Sequence, residues 1–190
     1  MNKKRALNKL EKEMGRVQLP LCAVANLVFG EGDPDALVLF IGEAPGRLED
    51  ELGRPFVGRS GQLLDRLIAD IGWKREDAYI TSVVKRRPPN NRDPLPKEIE
   101  AYKPFLARQI EIIEPTVIVT LGRFAMNYFL PDAKITRDQG KLFEVGGQRL
   151  YPLFHPAAAL RTPTSMKALK AAFKQLPKIV KRYSKTVIKT

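Results

Sequence analysis

The stretch LVLFIGEAPG, Leu37 to Gly46, decides how the rest of the chain is read. Leu37 to Ile41 is apolar without interruption and rich in branched and aromatic side chains. A run that short and continuous reads as a strand covered on both faces, which is the mark of a parallel sheet. It stops abruptly at Gly42-Glu43-Ala44-Pro45-Gly46. Open α/β sheets bind their ligands just beyond the carboxyl ends of the strands. Glu43 is thereby carried to the place where such folds do chemistry. A strand-end acid alone would be equally at home in a solvated loop. The residues that follow, Gly53-Arg54-Pro55-Phe56-Val57-Gly58, favour a site, because they hold an aromatic between a proline and two flanking glycines.

Downstream, Ser60 opens a helix carrying Leu63, Leu64, Leu67, Ile68 and Ile71 at helical spacing, and Gly72 ends it. AYITSVV, Ala78 to Val84, is a second strand and runs into the basic, proline-stiffened loop Lys85 to Arg92, KRRPPNNR. Lys97 to Ile113 is a helix that Pro104 should bend or split. TVIVTL, Thr116 to Leu121, is a third buried strand, followed by Gly122 and a short helix from Arg123 to Leu130. Lys141 to Val145, Gly146-Gly147 and Gln148 to Phe154 form a hairpin whose second arm ends at the only histidine, His155. Upstream, Ala6 to Met14 is helical, and an apolar Leu19 to Phe29 leads into the turn cluster Gly30 to Pro34. Strand and helix in alternation predict a parallel sheet sandwiched between helices.

The 190 residues suit a single domain, 1–190. An apolar fraction of 44% and a charged fraction of 28% are ordinary for a globular chain. The net charge of +12 is not ordinary, and points to a polyanionic partner, nucleic acid before membrane. A single cysteine, Cys22, excludes an intramolecular disulfide and a cysteine-only metal site. No apolar run reaches the length of a membrane span, and the basic start lacks the apolar stretch of a signal peptide, so a cytoplasmic monomer is expected. Thr164 to Thr190 holds eight Lys or Arg and no acid, with a basic helix expected over about 165–185. Lys167, Lys170, Lys174, Lys178 and Lys181 share one helical face, and Pro177 should interrupt the helix near its end.

Set side by side, the strand ends supply Glu43 and Phe56, then Ser82 and the loop with Asn91, then His155. Carboxylate, aromatic, hydroxyl and imidazole converging on one cleft make a pocket for a flat polar ring. Beside a basic loop, that ring is best read as a nucleobase turned out of nucleic acid.

Three motifs, GEAPGRLEDELGRPFVGRSGQLL, AYITSVVKRRPPNNR and HPAAALR, resemble in order and spacing those of uracil-DNA glycosylases, most closely family 4. The resemblance covers roughly Asn26 to Tyr183. It implies a three-layer α/β/α domain with a central four-stranded parallel sheet. It also implies hydrolysis of the N-glycosidic bond of uracil, or a related deaminated base, in DNA, at the start of base excision repair. Carried over by motif, Glu43 is the catalytic carboxylate that positions water or favours the cationic sugar, His155 the donor to the leaving base, and Asn91 a third catalytic position. Gly42, Ala44, Phe56 and Ser82 would hold the base. Leu160 would fill the gap left by the flipped nucleotide, and Lys85, Arg86, Arg87, Arg92, Arg161 and the Lys167-to-Lys181 stripe, flanking the cleft, would meet phosphates.

The chain departs from the family in two places. Family 4 carries an iron–sulfur cluster on four cysteines, whose places fall near Arg16, Leu19, Arg86 and Tyr102. Cluster ligation needs thiolates in number, so no cofactor and no metal is expected. Ser82 stands where the family places an asparagine that reads the base edge. That favours a broadened base preference, hypoxanthine or xanthine included. Together the two departures also open a reading of another class, a glycosylase fold that binds DNA without catalysis. A phosphate-loop reading of GEAPG fails, because the motif lacks the glycine spacing and the Lys-Ser/Thr of a P-loop.

Overall fold

A computed structural model describes residues 2–184. Six strands form one sheet: β1 (Glu31–Gly32), β2 (Val38–Gly42), β3 (Tyr79–Ser82), β4 (Val117–Leu121), β5 (Phe143–Val145) and β6 (Gln148–Leu153), in the spatial order β1-β3-β2-β4-β6-β5. The inner four are parallel, and the short edges β1 and β5 pair antiparallel. The expected four-stranded parallel sheet is thus the centre of a six-stranded one. Glycines Gly146 and Gly147, both at positive φ, make the tight β5–β6 turn.

Nine helices accompany the sheet among the described residues: α1 (Lys3–Arg16), α2 (Arg47–Leu52), α3 (Arg59–Asp70), α4 (Pro96–Ile113), α5 (Arg123–Phe129), α6 (Ile135–Asp138), α7 (Pro156–Ala159), α8 (Pro163–Phe173) and α9 (Leu176–Ser184). Along β2, Val38 and Phe40 pack on one side with α3, α8 and α9, while Leu39 and Ile41 pack on the other with α1 and α4. Both faces of the strand are covered, which is why its sequence runs apolar without alternation. The result is the three-layer α/β/α sandwich.

Pro104 does not split α4. It sits on the solvent side, as does Glu100, whose carbonyl loses its partner to the proline. Burial of Tyr102, Phe105, Leu106, Ile110 and Ile113 on the inner side holds the helix through that point. The carboxy-terminal helix does break, but earlier than Pro177: α8 ends at Phe173, and Pro177 lies in the first turn of α9, where its missing N–H costs nothing. Lys185 and Lys189, and the last residue of the expected 165–185 helix, fall outside the described residues.

From β2 the chain crosses to β3 on one side, then to β4 on the other. The strand order therefore reverses at β2, and crevices open at such reversals beyond the strand ends. Gly42 and Glu43 leave β2 at that point.

Candidate active site

A cavity of about 450 Å³ lies there. Its lining brings together Glu43 and Ala44 after β2, Phe56 from the following loop, Ser82 at the end of β3, Asn91, and His155 after β6. Gly42 is the register partner of Ser82, so two strand ends form adjacent parts of the site.

Phe56 is buried and adopts φ 52°, a left-handed conformation that bulky residues rarely take. Its ring is packed onto Gly42 so closely that a Cβ there would lie 2.6 Å from two ring carbons. Its carbonyl oxygen would lie 1.9 Å from a Cβ at Gly61. Glycine at both positions is therefore a requirement of the Phe56 pose. The ring centroid stands 5.6 Å from that of His155.

Two residues that sequence reasoning missed hold this loop. Glu49 is buried, and one of its carboxylate oxygens accepts from the N–H groups of Val57 (2.9 Å) and Gly58 (2.8 Å). Arg75, near-buried on a short 3₁₀ turn, donates to the carbonyls of Pro55 (2.6 Å) and Phe56 (3.2 Å). The same guanidinium pairs with Glu31 and Asp65, and Glu31 is held in addition by Arg54. Glu49 lies within the first motif, between Glu43 and Phe56, which is the signal that could have found it, whereas Arg75 is distant in sequence and carries none. A backbone pose that costs on the order of 1–3 kcal/mol persists only when its surroundings enforce it. Arg75→Met is accordingly expected to lower turnover ten- to a hundredfold, with Arg75→Lys falling between it and wild type. Single-turnover rates beside DNA affinity check this, and an unchanged rate in Arg75→Met would show that the loop holds itself.

Burial drives the carboxyl of Glu43 up to about 7, with Asp93 adding to the rise and Arg123 opposing it. Burial depresses the imidazole of His155 to about 4, against a smaller opposing pull from Glu49. The imidazole is therefore neutral at physiological pH. Its Nδ1 accepts from the N–H of Ala157 at 3.1 Å, so the single ring proton lies on Nε2. His155 is thus set as a neutral donor and Glu43 as an acid that ionises near neutrality.

The basic loop is a correction. Lys85 is fully buried, with Nζ on the hydroxyl of Thr81, and desolvation holds its amine well below the ordinary lysine range. Arg86 is also buried and donates to the carbonyl of Ala25 at 2.6 Å. Both side chains are withdrawn from the surface on which a phosphate contact would have to form. Arg92 is forked onto Glu98 at 2.7 and 2.9 Å, and Arg87 is tied to the Asn91 Oδ1 at 2.7 Å. Asn91 itself is exposed at the cavity mouth. Nor does the lysine stripe as a whole flank the cleft. Val180 of α9 packs beside Asp33, Leu37 and Val38, at the entering end of β2 and opposite Glu43. The cations that do border the site are Arg92, which lines the cavity while forked onto Glu98, Arg161, shared by the cavity and both neighbouring grooves, and Arg47, Arg59 and Arg123 in those grooves.

The positions that would hold an iron–sulfur cluster do not fit one. Arg16 is exposed, Leu19 is packed in the core, Arg86 is bonded to Ala25, and the Tyr102 hydroxyl donates to the carbonyl of Pro20 at 2.7 Å. These side chains can neither supply thiolates nor make room for the group.

The chain matches the family model described as the uracil DNA glycosylase superfamily over residues 29–177. It is 46% identical over 160 residues to a type-4 uracil-DNA glycosylase of Archaeoglobus fulgidus, covering 80% of each chain. It is 50% identical over 139 residues to the type-4 enzyme of Thermotoga maritima, covering 72% of each. With that of Sulfurisphaera tokodaii the identity is 45% over 172 residues, 84% of this chain and 78% of the relative. The sandwich, the crevice at β2 and these matches agree, and the chain belongs to the uracil-DNA glycosylase superfamily.

Proposed function

We propose that this chain hydrolyses the N-glycosidic bond of deoxyuridine, or of a related deaminated nucleoside, in DNA, the first step of base excision repair. The observation that carries the reading is the pairing, in one cavity floored by Phe56, of an acid poised near neutrality with a neutral imidazole whose proton is on Nε2. The names of the type-4 relatives agree with it.

Cleavage of the bond between C1′ and the base nitrogen builds positive charge on the sugar and negative charge on the base. Fixed groups aimed at developing charge are usually the largest catalytic contribution. Ionised Glu43 opposes the sugar's charge and takes the proton of the water that adds to C1′. The electron pair of the broken bond leaves with the base, and His155 Nε2–H hydrogen-bonds the carbonyl oxygen on which that charge collects. Phe56 stacks on the base. Stacking and the filling of the vacated duplex by Leu160 offset the few kcal/mol of extruding it.

Oligonucleotides carrying a single uracil, hypoxanthine or xanthine, incubated with the protein and then treated with alkali, test the reading. Strand breaks at uracil, lost in His155→Ala, are expected. Tight DNA binding with no break at any base would instead assign the chain to DNA binding without catalysis.

A further inference from the structure

Beside the cavity lies a second groove of about 460 Å³, which shares Glu49, Ser60, Ala157 and Arg161 with it. Two large apolar side chains from different elements line it: Leu48 of α2 and Leu160 just after α7, each 40% exposed. Arg47, Arg59 and Arg161 border the same groove. Among the described residues Arg59 and Arg161 form no ion pair, and Arg47 has only an exposed one with Glu51 at 3.1 Å, which screening makes weak. Apolar walls bordered by three guanidinium groups, two of them without an ion pair among the described residues, complement a ligand with flat apolar faces strung on an anionic backbone. Single-stranded nucleic acid has that alternation, and proteins grip it by packing its bases while cations follow its phosphates.

The groove is also continuous with the cavity. If the cavity holds the excised base, as proposed above, the strand must leave by its mouth, where Ala157 and Arg161 border both spaces. We propose that the groove is a subsite for the nucleotide next to the one excised. Its base lies between Leu48 and Leu160, and its phosphates meet Arg47, Arg59 and Arg161. Leu48 is then a second apolar finger opposite Leu160, and the protein grips a neighbouring nucleotide as well as the vacated stack. This inference rests on the glycosidase reading of the cavity.

Three single strands test it: one with a central deoxyuridine, one trimmed so that deoxyuridine is 5′-terminal, and one trimmed so that it is 3′-terminal. Leu48→Ala should lower kcat/KM about tenfold on the central substrate and on one trimmed strand. On the other trimmed strand, which lacks the groove's occupant, it should change nothing, and wild type should already be slower there by a similar factor. Leu48→Met should restore most of the loss. Arg59→Ala should lower the salt slope of log K by about one wherever that neighbour is present. An equal loss on all three strands, or no loss on any, would overturn the subsite. Affinities for the same strands with a non-hydrolysable 2′-fluoro nucleoside are measured alongside. Absence of base release with the same length-dependent loss of affinity would overturn the glycosidase reading and leave the subsite standing.

Discussion

Replacing Glu43 with glutamine is expected to lower the single-turnover rate of base release by about a thousandfold while leaving DNA affinity within a few-fold of wild type. The size follows from the role: a group that acts on transition-state charge and moves a proton typically contributes 10²- to 10⁴-fold. Loss confined to the chemical step marks an interaction made only in the transition state. The titration gives an independent check. Burial raises the Glu43 carboxyl to about 7, and its ionised form is the active one, so kcat/KM should climb with pH through about 7 and level off above. His155, held down to about 4, adds no second limb between pH 5 and 9. In Glu43→Gln the limb should vanish with the rate. Stability should move the other way. A carboxyl whose folded pKa lies above its unfolded value stabilises the fold below the unfolded pKa, near 4.5, and that contribution is lost as pH rises through about 7. Glutamine carries no such charge into the pocket, so the variant should melt a few degrees above wild type at pH 8 and show no such gain at pH 5. A rate near wild type, or a flat wild-type profile across pH 6 to 8, would remove Glu43 from the mechanism.

What the sequence made legible was whatever burial writes into local pattern. Leu37 to Ile41 reads as a strand covered on both sides because Val38 to Ile41 are covered on both, only the leading Leu37 being exposed, and β2 organises the sheet as its apolar run implied. Glu43, Ser82 and His155 were legible as a group because each directly follows, or ends, such a run, and Phe56 because a proline and two glycines frame it. The rest failed for physical reasons. A basic loop read as a phosphate contact assumes that charge stays in water, yet Lys85 and Arg86 lie within the packing beneath the strand ends, bonded to Thr81 and to the carbonyl of Ala25. No one-dimensional pattern marks that inversion. Arg75 is the converse case. It looks like one more surface cation after α3, and only the fold brings it to the Pro55 and Phe56 carbonyls. The lysine stripe shows the limit of helical periodicity, since shared spacing put five residues on one face of one helix, but the chain breaks between α8 and α9, and Val180 of α9 lies at the entering end of β2 rather than at the cleft.

Ser82 carries the remaining large expectation. It ends β3 beside Gly42, is 4% exposed, and lines the cavity. Its hydroxyl has no hydrogen-bond partner among the described residues, so it is available to a bound base. A hydroxyl offers one proton and can turn to donate or to accept. It can satisfy one edge group of a base but cannot demand a donor and an acceptor together. An asparagine amide presents both on one plane, which suits the N3–H and O4 of uracil. Sites that hydrogen-bond a substrate group reject analogues lacking it by on the order of 10⁴-fold, because the site's own polar atoms would be left buried and unpaired. Without that device, the chain should discriminate among bases less. Wild type is therefore expected to release uracil slowly, or to release a second deaminated base at a comparable rate. Ser82→Asn should raise the ratio of uracil to that second base by about a hundredfold, roughly the contribution of one or two well-placed hydrogen bonds. The gain should appear in kcat/KM from single-turnover series on paired oligonucleotides that differ only in the base. Wild type that is already fast and confined to uracil, or an unaltered ratio in Ser82→Asn, would mean that Ser82 only closes its strand and another group reads the base.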